Sequence, residues 1–137
     1  MDLPVASIAA NRAHLYLWTP SAFLAEGLKV VKRWGFRYVT TLVWVKTSKK
    51  TGRPIFGFGH YVRCAHEIVL MGERGGQTGL VHNVPSVIMS PRHGHSRKPE
   101  ELQTATEQLS PGPRLELFAR RPKDGWTVWG LEALPGA

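Results

Sequence analysis

At 137 residues, with 42% hydrophobic and 20% charged side chains, the chain has the length and composition of one globular domain, which excludes a disordered or fibrous class. No apolar run approaches the roughly eighteen residues needed to cross a bilayer. The opening Met1-Asp2-Leu3-Pro4 lacks the basic-then-apolar pattern of a signal peptide, and the single cysteine, Cys64, allows no internal disulfide, so the expected setting is the cytoplasm with no membrane partner.

Lysine and arginine total 18 against 10 acids, a net charge of +8. Such a surplus on a small domain attracts polyanions through counterion release, and nucleic acid is the leading partner.

In chain order, Ala13-His14-Leu15-Tyr16-Leu17-Trp18 is a short apolar and aromatic run with the length of a buried strand. Thr19 and Pro20 then mark a helix entry, Thr19 as N-cap and Pro20 at the first helical position, where its missing N–H costs nothing. Leu24, Leu28 and Val31 recur at helical spacing, with Gly27 and Trp34 on the inward side, and Lys32, Arg33 and Gly35 end the helix. Phe36 to Val45, rich in β-branched and aromatic residues, is the second strand.

A long loop from Lys46 to about Val62 follows, carrying Lys46, Lys49, Lys50 and Arg53 and then Gly57-Phe58-Gly59. A loop of that length in a compact domain is either functional or disordered, and these cations, with Arg92 and Arg97, are the expected phosphate-binding surface. Glu67 to Gly72 is a third strand and Ser86 to Ser90 a fourth. Pro99 opens a second helix, with Glu100 and Glu101 in its first turn and Leu102, Ala105 and Leu109 on its buried face, and Ser110-Pro111-Gly112-Pro113 ends it. Arg114 to Phe118 and Trp126 to Trp129 are the last two strands. Strands alternating with helices predict an α/β fold: one sheet of at least five strands, covered by helices, with its binding site in loops at the strand ends.

Generic catalytic patterns are weak. The only aspartates, Asp2 and Asp124, fall in segments that read as terminus or loop, which argues against a Ser-His-Asp triad. His60, His66, His93 and His95 follow no zinc-ligand spacing, so no metal is expected. Gly57-Phe58-Gly59 lacks the further glycine and preceding strand of a dinucleotide fingerprint and reads as a mobile loop.

Eight blocks, in order, carry a resemblance: His14-Leu15-Tyr16-Leu17-Trp18-Thr19, Trp34-Gly35-Phe36, Val43-Trp44-Val45-Lys46-Thr47, Gly59-His60-Tyr61, His66 to Gly72, Ser96-Arg97-Lys98-Pro99-Glu100-Glu101, Leu109 to Arg120, and Trp126 to Gly130. Together they resemble the N6-adenine methyltransferase family named for the seventy-kilodalton subunit of the messenger-RNA methyltransferase, the MT-A70 family. The resemblance implies a Rossmann-like methyltransferase sheet with permuted motif order, in which the cofactor strand comes late, here Leu115 to Ala119. It implies S-adenosyl-L-methionine as cofactor, Lys98 meeting the methionine carboxylate and Arg120 reaching the ribose. His66 and Glu67 fall in the region that lines the target-adenosine pocket, and Lys49, Lys50 and Arg53 are expected on the substrate side. For Glu67 a plain alternative is neutralisation of a nearby base such as Arg63. DNA and RNA both stay open as substrate, and the chain can act alone, as a homodimer or as a heterodimer.

Two departures from the family stand out. After Trp129-Gly130 the chain has Leu131 where family members usually carry a cofactor-touching asparagine. The family's Asp-Pro-Pro-Trp motif, whose aspartate and proline carbonyl accept the hydrogens of the adenine amine, occurs nowhere in the sequence and is expected just upstream of Met1, together with its strand. The resemblance therefore gives no catalytic residue here. The different-class alternative is a non-catalytic nucleic-acid-binding relative or partner subunit.

Overall fold

The computed structural model describes residues 4–94, 97–119 and 121–129. Its elements in chain order are α1 (Val5–Ile8), β1 (Ala13–Thr19), a 3-10 turn (Ser21–Phe23), α2 (Leu24–Arg33), β2 (Arg37–Thr47), β3 (His66–Arg74), β4 (Val87–Pro91), α3 (Glu100–Leu109), β5 (Arg114–Leu117) and β6 (Trp126–Trp129). The alternation of strands and helices is the expected α/β class.

The strands divide differently from the single sheet expected. β1, β3, β2 and β4 form one four-stranded sheet in that order, and β5 and β6 pair in parallel as a separate ribbon. β3 runs antiparallel to both β1 and β2, while β4 runs parallel to β2, so β1, β2 and β4 all point the same way. β3 lies between two neighbours and under helices on both faces, which is why its Ile68-Val69-Leu70-Met71 run is apolar without alternation and buried throughout.

Each face of the sheet has its own core. On one face Val31, Trp34 and Phe36 from α2 and its exit pack with Val5 of α1 and with Ile68 and Leu70 of β3. On the other, Leu102 of α3 packs with Leu42, Trp44, Val69, Met71 and Ile88, flanked by Tyr16 and Trp18. The result is a sheet covered by α1 and α2 on one side and α3 on the other.

Several local readings need correction. Pro20, not Thr19, stands at the cap position, and a 3-10 turn precedes the α-helix. Thr19 ends β1 and is buried, its hydroxyl donating to the Leu17 carbonyl at 3.2 Å. The buried stripe of α2 is Gly27 and Val31, continued by Trp34, whereas Leu24 and Leu28 are exposed. Helical spacing allowed either stripe, and close packing selected the one with a glycine: a Cβ on Gly27 would lie 2.7 Å from Thr19 Cγ2 and 2.9 Å from Leu70 Cδ1. On α3 the third buried residue is Thr106, with Leu109 half-buried. β2 runs on through Lys46 and Thr47, which moves Lys46 out of the loop and into the sheet. Among the described residues no helix is long and apolar enough to cross a membrane.

Candidate active site

Because β1, β2 and β4 are co-directional, their carboxyl ends meet at one end of the sheet, where the amino end of β3 also begins. That is the position at which open α/β sheets form binding crevices. β2 brings Trp44 and Lys46 to the α3 face, two residues apart as the pleat requires, and the antiparallel register sets Glu67 opposite Trp44. β1 adds Trp18, and the segment entering α3 adds Lys98, immediately before Pro99.

These side chains form a clamp. Lys98 Nζ donates to Glu67 Oε1 at 2.5 Å, and Lys46 Nζ lies 2.9 Å from Glu67 Oε2. Each ammonium also rests over an indole: Lys98 Nζ is 4.9 Å from the Trp18 ring centroid and Lys46 Nζ 5.4 Å from that of Trp44. The two indoles meet edge to face at 6.0 Å, and Trp44, almost fully buried, is fixed by its Nε1–H donating to the Ser90 carbonyl at 2.8 Å. Partial burial pushes the Glu67 carboxyl up. Hydrogen bonds from Lys98 and Lys46, with their charges, outweigh that and hold it below the usual carboxylate range. Glu67 is therefore a fixed anion between two fixed cations.

Beside Lys98 lies a polar hollow of about 210 Å³ lined by His93, Arg97, Lys98, Glu100 and Glu101. A larger hollow, about 410 Å³, sits on the opposite face at the same end of the sheet, lined by Val43, Val45, Pro54, Phe56, Ala65, His66 and Ile68. Its walls offer little besides apolar surface and the His66 ring, so the chemistry concentrates on the Lys98 side.

Of the residues expected at the site, the fold brings Lys98 and Glu67 together and separates His66 from them. His66 pairs with Val45 and lines the other face, since adjacent residues of a strand point to opposite sides. Arg63 is not the partner of Glu67: its Nη2 donates to the Phe56 carbonyl at 3.2 Å, inside its own loop. Lys49, Lys50 and Arg53 lie exposed on the turn beyond β2, outside the clamp. Arg92 is exposed, Arg97 lines the polar hollow, and Arg120 and Leu131 fall outside the described residues. Trp18, Trp44 and the clamping role of Lys46 were missed by sequence reasoning, although alternation in Val43-Trp44-Val45-Lys46 already places Trp44 and Lys46 on one face.

On the α3 face of β1 a second polar cluster appears. His14 Nε2 is 3.0 Å from the Gln77 carbonyl, His14 Nδ1 is 2.6 Å from Ser110 Oγ, and Tyr16 Oη is 2.7 Å from the same Ser110 oxygen. The carbonyl can only accept, so Nε2–H donates to it; in that tautomer Nδ1 accepts from Ser110, which in turn accepts from Tyr16. The chain of donors is complete, and burial pushes the Tyr16 phenol up. Ser110 and His14 thus meet as a satisfied strand-to-helix tie, with no carboxylate of the described residues among their hydrogen-bond partners.

The MT-A70 family model matches residues 1–132. The chain belongs to the MT-A70 family. Similar proteins include the N(6)-adenosine-methyltransferase MT-A70-like protein of Drosophila melanogaster, 34% identical over 113 residues, covering 77% of this chain and 18% of that one. The human N(6)-adenosine-methyltransferase catalytic subunit METTL3 is 33% identical over 127 residues, covering 88% of this chain and 21% of its own. The type II methyltransferase M.MunI of a Mycoplasma species is 31% identical over 133 residues, covering 96% of this chain and 55% of its own. The chain thus spans about a fifth of these eukaryotic relatives and just over half of the Mycoplasma one. The bounds of the MT-A70 match enclose the clamp residues Trp18, Trp44, Lys46, Glu67 and Lys98.

Proposed function

We propose that this MT-A70 domain takes part in transferring a methyl group from S-adenosyl-L-methionine to N6 of adenine in DNA or RNA. The observation that carries the reading is the Lys98–Glu67 pair at the carboxyl ends of the parallel strands. Lys98 already binds a carboxylate in this fold, which is the task the family resemblance gives it toward the methionine end of the cofactor.

The residues present fit such a ligand. Its amino-acid end is a zwitterion, and the adjoining hollow offers both signs: Lys98 and Arg97 for the carboxylate, Glu100 and Glu101 for the ammonium. When bound, the cofactor supplies an electrophilic methyl on a sulfonium. Lys98 would hold its carboxylate, the resemblance assigns Arg120 to its ribose, and Glu67, kept ionised by its two lysines, would set the direction in which Lys98 points. As a carboxylate Glu67 is also acceptor-only, suited to the N–H groups of a base brought to this face.

The permuted methyltransferase sheet needs a further strand bearing Asp-Pro-Pro-Trp, and we assign it to the outer edge of β1. β1 sends Leu15 and Leu17 to one core and Tyr16 and Trp18 to the other, yet six of its seven residues are only half-buried, and among the described residues it pairs with β3 alone. A strand with apolar side chains on both faces is characteristic of a sheet interior.

Labelled methyl transfer to an adenine-containing oligonucleotide tests the function. The 137-residue chain is compared with a version extended upstream through an Asp-Pro-Pro-Trp strand, and with that version carrying Lys98→Ala. The expected order is no transfer, transfer, and strongly reduced transfer. An extended protein that binds oligonucleotide and never methylates it would mark a non-catalytic relative instead.

A further inference from the structure

Lys98 precedes Pro99, whose ring disfavours helical backbone at the residue before it, so the main chain there is restrained. Its four-carbon stem is not. The Lys98 side chain is 37% exposed, and a single carboxylate partner would leave the stem free to swing about that one contact. The Trp18 indole supplies a second partner, its ring centroid 4.9 Å from Lys98 Nζ.

Trp18 stands opposite Val69 in the β1–β3 register, and Glu67 lies two residues from Val69 on the same face of β3. The pleat therefore presents the indole and the carboxylate together to Lys98. Edge-to-face contact with Trp44, itself anchored through Nε1–H to the Ser90 carbonyl, holds the Trp18 ring. The two indoles differ in what they serve. Trp44 is buried in the core, and the lysine over it, Lys46, is not among the residues lining the polar hollow. Trp18 is half-buried at the flank of that core, and the lysine over it, Lys98, does line the hollow. An ammonium has three N–H donors and no acceptor. With one donor on Glu67 and its charge against the indole, Lys98 keeps a donor for a ligand in the hollow, while Lys46 stays on the other Glu67 oxygen.

We infer that Trp18 is a positioning residue for the cofactor: its indole face holds the Lys98 ammonium in place to receive the methionine carboxylate of S-adenosyl-L-methionine. This rests on the proposed role of Lys98 and deepens it. Trp18 acts wholly through the lysine. Its contribution is preorganisation, because the freedom of the stem is given up on folding and not on binding.

Calorimetric titration of the whole chain and its variants with two ligands tests this. S-Adenosylhomocysteine keeps the amino-acid end of the cofactor, whereas 5′-methylthioadenosine has the same nucleoside and thioether without that end. Trp18→Leu should weaken S-adenosylhomocysteine binding roughly fivefold, the scale of one cation–π contact, and leave 5′-methylthioadenosine unchanged. Trp18→Phe, which keeps an aromatic face, should recover most of the loss. In a Lys98→Ala background no ammonium remains to be positioned, so Trp18→Leu should cost nothing further. The ratio of the two affinities on one preparation does not depend on the fraction folded, so a partly unfolded variant still gives a reading. Equal loss of both ligands, or the same loss with and without Lys98, overturns the inference in favour of a purely structural Trp18. A ratio altered by Lys98→Ala but not by Trp18→Leu overturns it while leaving Lys98 as the carboxylate's partner. A ratio unaltered by Lys98→Ala, or failure of the unmodified chain to bind either ligand, overturns the inference together with the cofactor reading of this site.

Discussion

The Glu67 carboxylate holds Lys98 on one oxygen at 2.5 Å and Lys46 on the other at 2.9 Å. Three charged groups converge at a half-buried place, and they persist because each is satisfied: the carboxylate by two donors, the ammoniums by one oxygen and one indole face each. Glu67→Gln keeps the shape and replaces one acceptor oxygen with an NH2 that faces an ammonium. The expected loss is roughly 1–2 kcal/mol at neutral pH, the partly screened value of a half-buried pair.

The pH dependence of that loss follows from the direction of the Glu67 shift. Its folded-state pKa is lowered, so the stability it contributes is fully present above the unfolded carboxylate value of about 4.3 and is lost as pH falls through the lower folded value. Urea unfolding midpoints of the parent chain and the Glu67→Gln variant should therefore differ at pH 7 and converge in acid. A gap that persisted undiminished well below that range would mean the carboxylate charge is not what the clamp uses.

Lys98→Ala removes the cation proposed for the cofactor carboxylate. Calorimetric titration with S-adenosyl-L-methionine should give an affinity weaker by at least roughly tenfold, as expected for a lost charge-assisted hydrogen bond. Lys46→Ala, which leaves Lys98 in place but frees one oxygen of Glu67, should weaken binding less. Equal losses from the two would assign the carboxylate to the clamp as a whole.

How much of this was legible depends on whether the signal was local. Strand and helix order followed from periodicity and punctuation, since Pro99, Gly35 and the β-branched run of β2 act on their own neighbourhoods. The division into a four-stranded sheet and a two-stranded ribbon was not, because pairing depends on residues far apart in the chain. For the same reason the meeting of His14 with Ser110, and of Glu67 with Lys46 instead of Arg63, had no sequence signal. Lys98 was readable only through the family wording around it. The choice of Gly27 over Leu24 and Leu28 as the inward stripe needed to know that Thr19 and Leu70 approach the helix too closely for a side chain.

Gly27→Ala tests that close approach. The methyl would lie 2.7 Å from Thr19 Cγ2 and 2.9 Å from Leu70 Cδ1, both in well-packed surroundings. In an exposed helix the change would stabilise; here the collision should dominate, with a net destabilisation of roughly 1–3 kcal/mol by chemical denaturation. A stabilised variant would show that α2 can lift off the sheet without cost.

The tie between β1 and the end of α3 should be equally sensitive. Ser110→Ala leaves His14 Nδ1 without its donor and Tyr16 without its acceptor, in a site where Ser110 is buried. The expected cost is roughly 1–3 kcal/mol, and the Tyr16→Phe, Ser110→Ala double variant should lose less than the sum of the singles, since both changes remove the same hydrogen bond. Additive losses would mean that the two hydroxyls act independently.

Lys49 and Lys50 offer the test of the electrostatic part of recognition. They sit on a turn that Ser48 braces, its Oγ accepting from Lys50 N–H at 3.1 Å and Thr51 N–H at 3.3 Å, so the backbone is fixed while both ammoniums remain in solvent. With no acid in the segment to neutralise them, each can displace a condensed counterion from a bound strand. The magnitude of the slope of log affinity against log salt should therefore fall by about 0.7 for each lysine removed, if both meet phosphates of a single strand. The fold should be untouched, because neither side chain contributes to a core. Fluorescence anisotropy with a labelled oligonucleotide over a salt series measures that slope directly. A slope unchanged in the Lys49→Ala, Lys50→Ala variant would take this turn out of the interface.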